Sequence, residues 1–257
     1  MASMRLIARL DIKGENLVKG VQLEGLRKLG SPNAFVRKYY REGIDEILYI
    51  DIVASLYGRA NLLNIVRETT KDAFIPITVG GGIRTLDDVT ATLRAGADKI
   101  ALNTGAVKRP ALIHEISDTF GSQCAVLSIE AKREAPGRWQ VYYDNGREKT
   151  GMDVLEWAQQ GYALGAGEIL LTSVDQEGTA AGCDVALVEA VVRAVPIPVI
   201  ACGGVGSLEH IGEVAVSAHP DAVAMAHALH YGKLTVPEIH RYLRARHIEV
   251  RTVPPCR

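Results

Sequence analysis

A chain of 257 residues with 47% hydrophobic side chains can bury a full core, and an α/β barrel uses about this length for one domain. A formal net charge of −1 and a pI near 6.7 leave no basic surface of the kind that binds nucleic acid or an anionic membrane. No apolar run reaches the roughly 20 residues of a membrane span and the N-terminus lacks a secretory pattern, so a soluble, cytoplasmic protein is expected.

Eight short runs rich in β-branched residues recur along the chain as predicted strands. They are Leu6 to Asp11, Ile47 to Asp51, Ile75 to Val79, Lys99 to Leu102, Ala125 to Ile129, Ile169 to Thr172, Pro198 to Ala201 and Ala222 to Met225. Each is followed by a segment with helical spacing: Ala34 to Glu42, Leu62 to Thr70, Leu86 to Ala95, Pro110 to Phe120, Val154 to Leu164, Val185 to Ala194, Leu208 to Val216 and Val236 to Arg246. Gly43, Gly96 and Gly165 follow helices, where a residue tolerant of positive φ ends the helix cheaply. Two excursions interrupt the alternation, Lys13 to Pro32 and Glu134 to Thr150. The second carries Asp144-Asn145-Gly146, a hairpin signal. Both are expected to cover a site as lids or clamps. Met1 to Ser3 and Thr252 to Arg257 read as loose ends.

The chain also repeats itself. Pro76-Ile77-Thr78-Val79-Gly80-Gly81-Gly82-Ile83 returns 122 residues later as Pro198-Val199-Ile200-Ala201-Cys202-Gly203-Gly204-Val205, and the same offset relates Gly43 to Leu48 with Gly165 to Leu170. Ile7 to Asp11 pairs with Val126 to Glu130 at an offset of 119. The expected architecture is a single (βα)8 barrel over residues 1–257, built from two duplicated halves of about 1–120 and 121–257. A doubly wound sheet would want a G-x-G-x-x-G after the first strand, and none is present.

In such a barrel chemistry sits at the C-terminal strand ends. Asp11 and Glu130 end strands 1 and 5, on opposite sides, where two carboxyls can divide acid and base work. Gly80-Gly81-Gly82 and Gly203-Gly204 follow strands 3 and 7, while Asn103-Thr104 and Ala226-His227 follow strands 4 and 8. Each cluster can offer backbone N–H groups to a phosphate, and two such sites imply a long ligand with a phosphate at each end. Arg5, Glu46, Lys99 and Glu168 lie at the opposite strand ends and would form a charged ring around the N-terminal opening. Residue positions alone favour a salt-bridge layer there. Cys124, Cys183, Cys202 and Cys256 have no CxxC spacing, so neither metal nor disulfide framework is expected, and no organic cofactor is indicated. His210, His219, His240 and His247 are expected to face solvent.

Arg9-Leu10-Asp11-Ile12-Lys13, Leu17-Val18-Lys19-Gly20, Asp51-Ile52-Val53-Ala54-Ser55, Thr78 to Arg84, Gly121-Ser122-Gln123 and Gly167 to Ser173 together resemble the cyclase subunit family of imidazole glycerol phosphate synthase, from about Arg5 to Arg251. The resemblance implies a barrel that takes ammonia from a glutaminase partner in a heterodimer. It converts a bis-phosphorylated ribulosyl-formimino aminoimidazole carboxamide ribotide to imidazole glycerol phosphate and aminoimidazole carboxamide ribotide. It implies Asp11 and Glu130 as the acid/base pair and Lys19 in a mobile first loop. Gly82, Asn103 and Thr104 would hold one phosphate; Gly178, Gly203, Gly204, Ala226 and His227 would hold the other, with Asp175 beside them. Arg5, Glu46, Lys99 and Glu168 match an ammonia gate.

Four positions depart from the family pattern: Glu130 and Glu177 are longer than the usual aspartates, Arg9 replaces a cysteine and His227 a serine. An Arg9 pointing into the pocket would lower the pKa of Asp11. Arg9 to Gly14, Leu23 to Arg27, Ser55 to Arg59 and Ser128 to Ala131 resemble a paralogous branch that delivers ammonia for amidation of a surface-polysaccharide sugar. That reading, and a non-catalytic ammonia conduit, stand beside the cyclase as alternatives.

Overall fold

A computed structural model describes residues 3–53 and 60–252 of the chain. The motif positions Ala54 to Arg59, and Cys256 in the C-terminal segment, lie outside the described residues. The elements in chain order are β1 (Arg5–Lys13), β2 (Asn16–Val21), β3 (Glu24–Gly30), α1 (Pro32–Glu42), β4 (Glu46–Asp51), α2 (Ala60–Thr69), β5 (Ile77–Gly80), α3 (Leu86–Arg94), β6 (Lys99–Leu102), α4 (Thr104–Lys108) and α5 (Ala111–Phe120). They continue as β7 (Ala125–Ala135), β8 (Arg138–Tyr143), β9 (Glu148–Asp153), α6 (Val154–Ala163), β10 (Glu168–Ser173), α7 (Val185–Ala194), β11 (Val199–Cys202), α8 (Leu208–Ser217), β12 (Ala222–Met225), α9 (His227–His230) and α10 (Val236–Arg244).

Eight strands close on themselves in parallel in the order β1, β4, β5, β6, β7, β10, β11, β12 and back to β1. This is a (βα)8 barrel, as the strand pattern predicts. Side chains of β1 alternate across its wall. Leu6, Ala8, Leu10 and Ile12 pack outward under the helices, while Ile7 joins Leu48, Val126, Leu170 and Ile200 in a separate apolar cluster inside. The barrel is therefore filled, and its inward residues form a packed core rather than an open pore.

Helix ends follow from local chemistry. Thr85 with Asp88, and Thr235 with Glu238, form capping boxes at α3 and α10, and Asp153, Asp184 and Ser207 cap α6, α7 and α8. Gly43, Gly96 and Gly165 adopt φ values of 88°, 110° and 99° after their helices, the conformation the sequence pattern requires there. One expectation fails on the back face of α10. His240 is 5% exposed, because its position shares a face with Val236, Ile239 and Leu243, and its Nε2 lies 3.2 Å from the Gly43 carbonyl oxygen. His210 is also partly buried, its Nδ1 accepting from the Gly206 amide at 3.2 Å. His219 and His247 are exposed.

Both excursions are hairpins at the C-terminal end of the barrel. Lys13 to Pro32 forms β2 and β3, paired to β1. Glu134 to Thr150 forms β8 and β9, paired to an extended β7. Asp144, Asn145 and Gly146 all take positive φ between β8 and β9, which suits the right-handed twist of a hairpin. Among the described residues no helix is long and apolar enough to cross a membrane.

Candidate active site

The C-terminal strand ends surround a cavity of about 530 Å³. Its floor is Arg9, Leu170 and Thr172, and its walls include Asp51, Gly81, Gly82, Asn103, Thr104 and Glu130. Because Asp11 lies on the inward-facing register of β1, it shares this end with Glu130 of β7, although Asp11 does not line the cavity itself.

Asp11 is 3% exposed and is held between two cations. Arg9 Nε donates to Asp11 Oδ1 at 2.9 Å, and Lys19 Nζ lies 3.6 Å from Oδ2. Burial alone would raise this carboxyl, but Arg9 and then Lys19 outweigh it and hold Asp11 below the ordinary carboxylate range. Lys19 also pairs closely with Glu177. Burial works against the Lys19 charge, and Glu177 with Asp11 more than offset it, so its pKa lies above the ordinary lysine value.

Glu130 is in the opposite condition. Burial pushes it up to about 7, and the Gly146 amide and Arg9 pull it only part of the way back. Its Oε2 accepts from the Gly146 N–H at 2.7 Å, so the longer side chain reaches the turn of the second hairpin. That turn is fixed from both sides: Asn145 Nδ2 donates to the Ile52 carbonyl at 2.7 Å, and the Asp144 amide donates to Thr104 Oγ1 at 3.2 Å.

The two glycine turns are geometrically alike. Gly81 and Gly82 have φ of 96° and 67°, and Gly203 and Gly204 have φ of 103° and 95°. A Cβ on Gly81 would collide with the Asp51 carbonyl oxygen, and one on Gly203 with that of Ser173, 122 positions later. Only glycine fits either place. The surroundings differ. Around Gly82, Asn103 and Thr104 the cavity is open and carries the cations Arg84, Lys108 and Arg109. Asn103 Nδ2 is tied to the Ser128 and Tyr142 carbonyls at 3.1 Å each, which fixes the side chain at the end of β6. Gly178, Gly203, Gly204, Ala226 and His227 do not line it. The first hairpin is folded down on that side: the Gln22 amide donates to the Glu177 carbonyl at 2.7 Å, Gln22 Nε2 donates to the Asp175 carbonyl at 3.1 Å, and Gly178 packs on Gly20. The Asp175 carboxylate accepts from the Arg133 amide at 2.8 Å, so it anchors the base of the second hairpin. Burial, with help from Lys233, keeps the His227 pKa below its ordinary value.

At the other end of the barrel the four charged residues meet in a closed ring. Arg5 bonds Glu46 and Glu168 at 2.5 Å each, and Lys99 Nζ lies 3.2 Å from Glu46 and 2.9 Å from Glu168. Sequence reasoning did not single out Lys108, Arg109, Thr172 or His230 as site residues. Lys108 and Arg109 follow Asn103-Thr104 by one helical turn, a signal that was available. Thr172 carries none, since its role depends on a partner 163 residues away. Among the described residues no group of three or more His, Cys, Asp or Glu side chains is arranged to hold a metal ion.

The family described as Histidine biosynthesis protein matches residues 5–235 of this chain. The chain is 63% identical over 209 residues to the imidazole glycerol phosphate synthase subunit HisF of Legionella pneumophila, a match covering 81% of this chain and 99% of that protein. It is 50% identical over 255 residues to the subunit of the same name from Synechococcus sp. (strain CC9605), covering 98% of this chain and 100% of that protein.

Proposed function

The chain belongs to the histidine biosynthesis protein family, among the HisF subunits of imidazole glycerol phosphate synthase, and from that premise we propose how its barrel mouth carries the reaction. It is a cyclase-type enzyme subunit of histidine biosynthesis, acts on a small molecule and works with a partner subunit. We assign the finer reading as follows. A glutaminase forms a heterodimer with the N-terminal face of the barrel and releases ammonia at the ring of Arg5, Glu46, Lys99 and Glu168. The ammonia reaches the opposite end, where a bis-phosphorylated ribulosyl-formimino aminoimidazole carboxamide ribotide is held. Imidazole glycerol phosphate and aminoimidazole carboxamide ribotide leave, with loss of water.

One observation carries this reading: two matched glycine turns on opposite sides of one mouth, with two buried carboxyls in different charge environments between them. A phosphate binds the N–H groups of Gly82 and of the backbone at Asn103 and Thr104, supported by Lys108 and Arg109. The second phosphate binds at Gly203, Gly204, Ala226 and His227, once the first hairpin with Lys19 lifts and recloses over it. Asp11 and Glu130 then flank the reacting centre as the acid/base pair. Condensation with ammonia and expulsion of the carboxamide ribotide both need a proton taken from one nitrogen and another given to a leaving atom.

Arg9 at the cavity floor favours a second acceptor for the same ammonia, a surface-polysaccharide sugar that would be amidated. Incubation of the purified chain with the ribotide and an ammonium salt at mildly alkaline pH, following loss of substrate absorbance, decides between them. Turnover abolished by Asp11→Asn is expected. A ribotide that binds without turnover would overturn the cyclase assignment in favour of a sugar acceptor.

A further inference from the structure

Arg9 is 3% exposed, sits on the inward register of β1 between Ile7 and Asp11, and has no task in the reaction as assigned so far. Its fork is clamped from three strands. Nε donates to Asp11 on its own strand, and Nη1 donates to Thr172 Oγ1 of β10 at 3.1 Å and to Cys202 Sγ of β11 at 3.4 Å. Burial pushes the Cys202 thiol up, with Arg9 drawing it only partly back, so it accepts this contact as a neutral thiol. A guanidinium does not lose its proton in a protein. A permanent charge is thus fixed below one of the two carboxyls, and it cannot swing to the other without breaking both anchors.

The neighbours divide in the same way. Asp11 faces Arg9 from β1, Lys19 from β2, His230 from α9 and Glu177 from the loop after β10. His230 is kept neutral by burial, which pulls it down to about 4, and its Nδ1 lies 2.7 Å from the Tyr39 hydroxyl. Lys19 is shared with Glu177, so Arg9 is the nearest cation to Asp11. Glu130 faces the Gly146 amide and Arg9, which favour its charged form without forming an ion pair with it, and Asp144 in the hairpin turn and Asp11, which oppose it. Among the described residues it has no ion pair.

We propose that Arg9 is a positioning residue that divides the two roles: by pairing with Asp11 it makes that group the proton acceptor, and it leaves Glu130 as the proton donor. The proposal rests on the cyclase reading above. In the dehydration that follows ammonia addition, the C–O bond breaks with its electron pair leaving on oxygen. Glu130 gives its proton to that oxygen, which departs as water. The nitrogen lone pair forms the C=N bond, and Asp11 takes a proton from nitrogen. Return of that proton to Glu130 through solvent resets the pair. The titration order fits this division, since Glu130 holds its proton to about 7 while Asp11 is ionised well below that.

The test is a carboxyl-carbon NMR titration of Asp11 and Glu130 in the full chain, as wild type, Arg9→Met and Arg9→Lys, beside the pH profile of ammonia-dependent turnover at fixed free ammonia. The wild type is expected to titrate Asp11 well below Glu130. In Arg9→Met the Asp11 midpoint is expected to rise by about one pH unit, tenfold in its acid constant, and to return toward the wild-type value in Arg9→Lys. The acid limb of the turnover profile should move up by the same amount. An Asp11 midpoint unmoved in Arg9→Met, or a wild type in which Glu130 titrates below Asp11, overturns the proposal. The wild-type order and Arg9→Lys decide the matter if Arg9→Met does not fold. Because the NMR titration needs no substrate, failure of the cyclase reading appears separately, as absent turnover with the titration order intact.

Discussion

The barrel is closed at each end by a layer of two cations and two carboxylates, and the two layers are wired differently. At the N-terminal end each carboxylate, Glu46 and Glu168, touches both Arg5 and Lys99, so the ring is complete. At the C-terminal end Arg9, Asp11, Lys19 and Glu177 form an open chain, and a fifth titratable group, Glu130, stands beside it without an ion pair among the described residues. The cations of the ring are 26% and 19% exposed at their side chains, while all four members of the open chain are at 2–4%. Equal composition therefore gives two different devices. A complete, water-touching ring has no group left over to exchange a proton. A dry, incomplete chain next to a protonatable glutamate has one, and that is the arrangement acid/base catalysis needs.

The comparison breaks first at Asp11. Asp11→Asn should lower ammonia-dependent turnover by about 10²–10⁴-fold, the usual contribution of a positioned acid or base, while ring variants should not approach that in the same assay. Stability gives the next largest contrast. Lys19→Met leaves Asp11 and Glu177 buried with one fewer cation and should destabilise by about 3–5 kcal/mol in denaturant unfolding, whereas Lys99→Met should cost on the order of 1 kcal/mol because water and Arg5 still serve Glu46 and Glu168. Similar losses from both variants would erase the distinction between a dry layer and a wet one.

A smaller effect sharpens the account of Glu130. Its folded pKa is raised, so its contribution to stability is full below the ordinary carboxylate value and is lost as pH rises through about 7. Glu130→Gln keeps an oxygen for the Gly146 amide and removes the ionisation. It should remove this fall, making the variant more stable than wild type by about 2–3 kcal/mol at alkaline pH and little different under mildly acidic conditions. Asp11 has the reverse sign: its folded pKa is lowered, so its contribution is present above the ordinary carboxylate value and is lost as pH falls through the folded one. Unfolding free energies measured across pH check both signs at once.

Much of this was legible in the chain. Strand runs bounded by polar or glycine positions located all eight barrel strands, and the carboxyls at the ends of two of them lie at the end of the barrel where the cavity opens. The direction of Arg9 was left open in the sequence, although the alternation of β1 sets it on the same face as Asp11. What the sequence hid were relations set by closure of the barrel. Lys19 and Glu177 are 158 residues apart, and their pairing exists because the first hairpin folds across the mouth. The contact of Glu130 with Gly146 depends on where the second hairpin turns. His240 was misjudged for another reason. Its residue type suggested solvent, but its spacing from Val236 and Leu243 places it on the buried face of α10.

The claim that the two layers do different work is tested most directly in the complex with the glutaminase proposed above as its partner, by comparing glutamine-supplied with ammonium-supplied turnover in Lys99→Met and wild type. The account predicts that glutamine-supplied turnover drops while ammonium-supplied turnover holds, so that their ratio falls. Both rates falling in step, with the ratio unchanged, would contradict it and return the ring to a purely structural role.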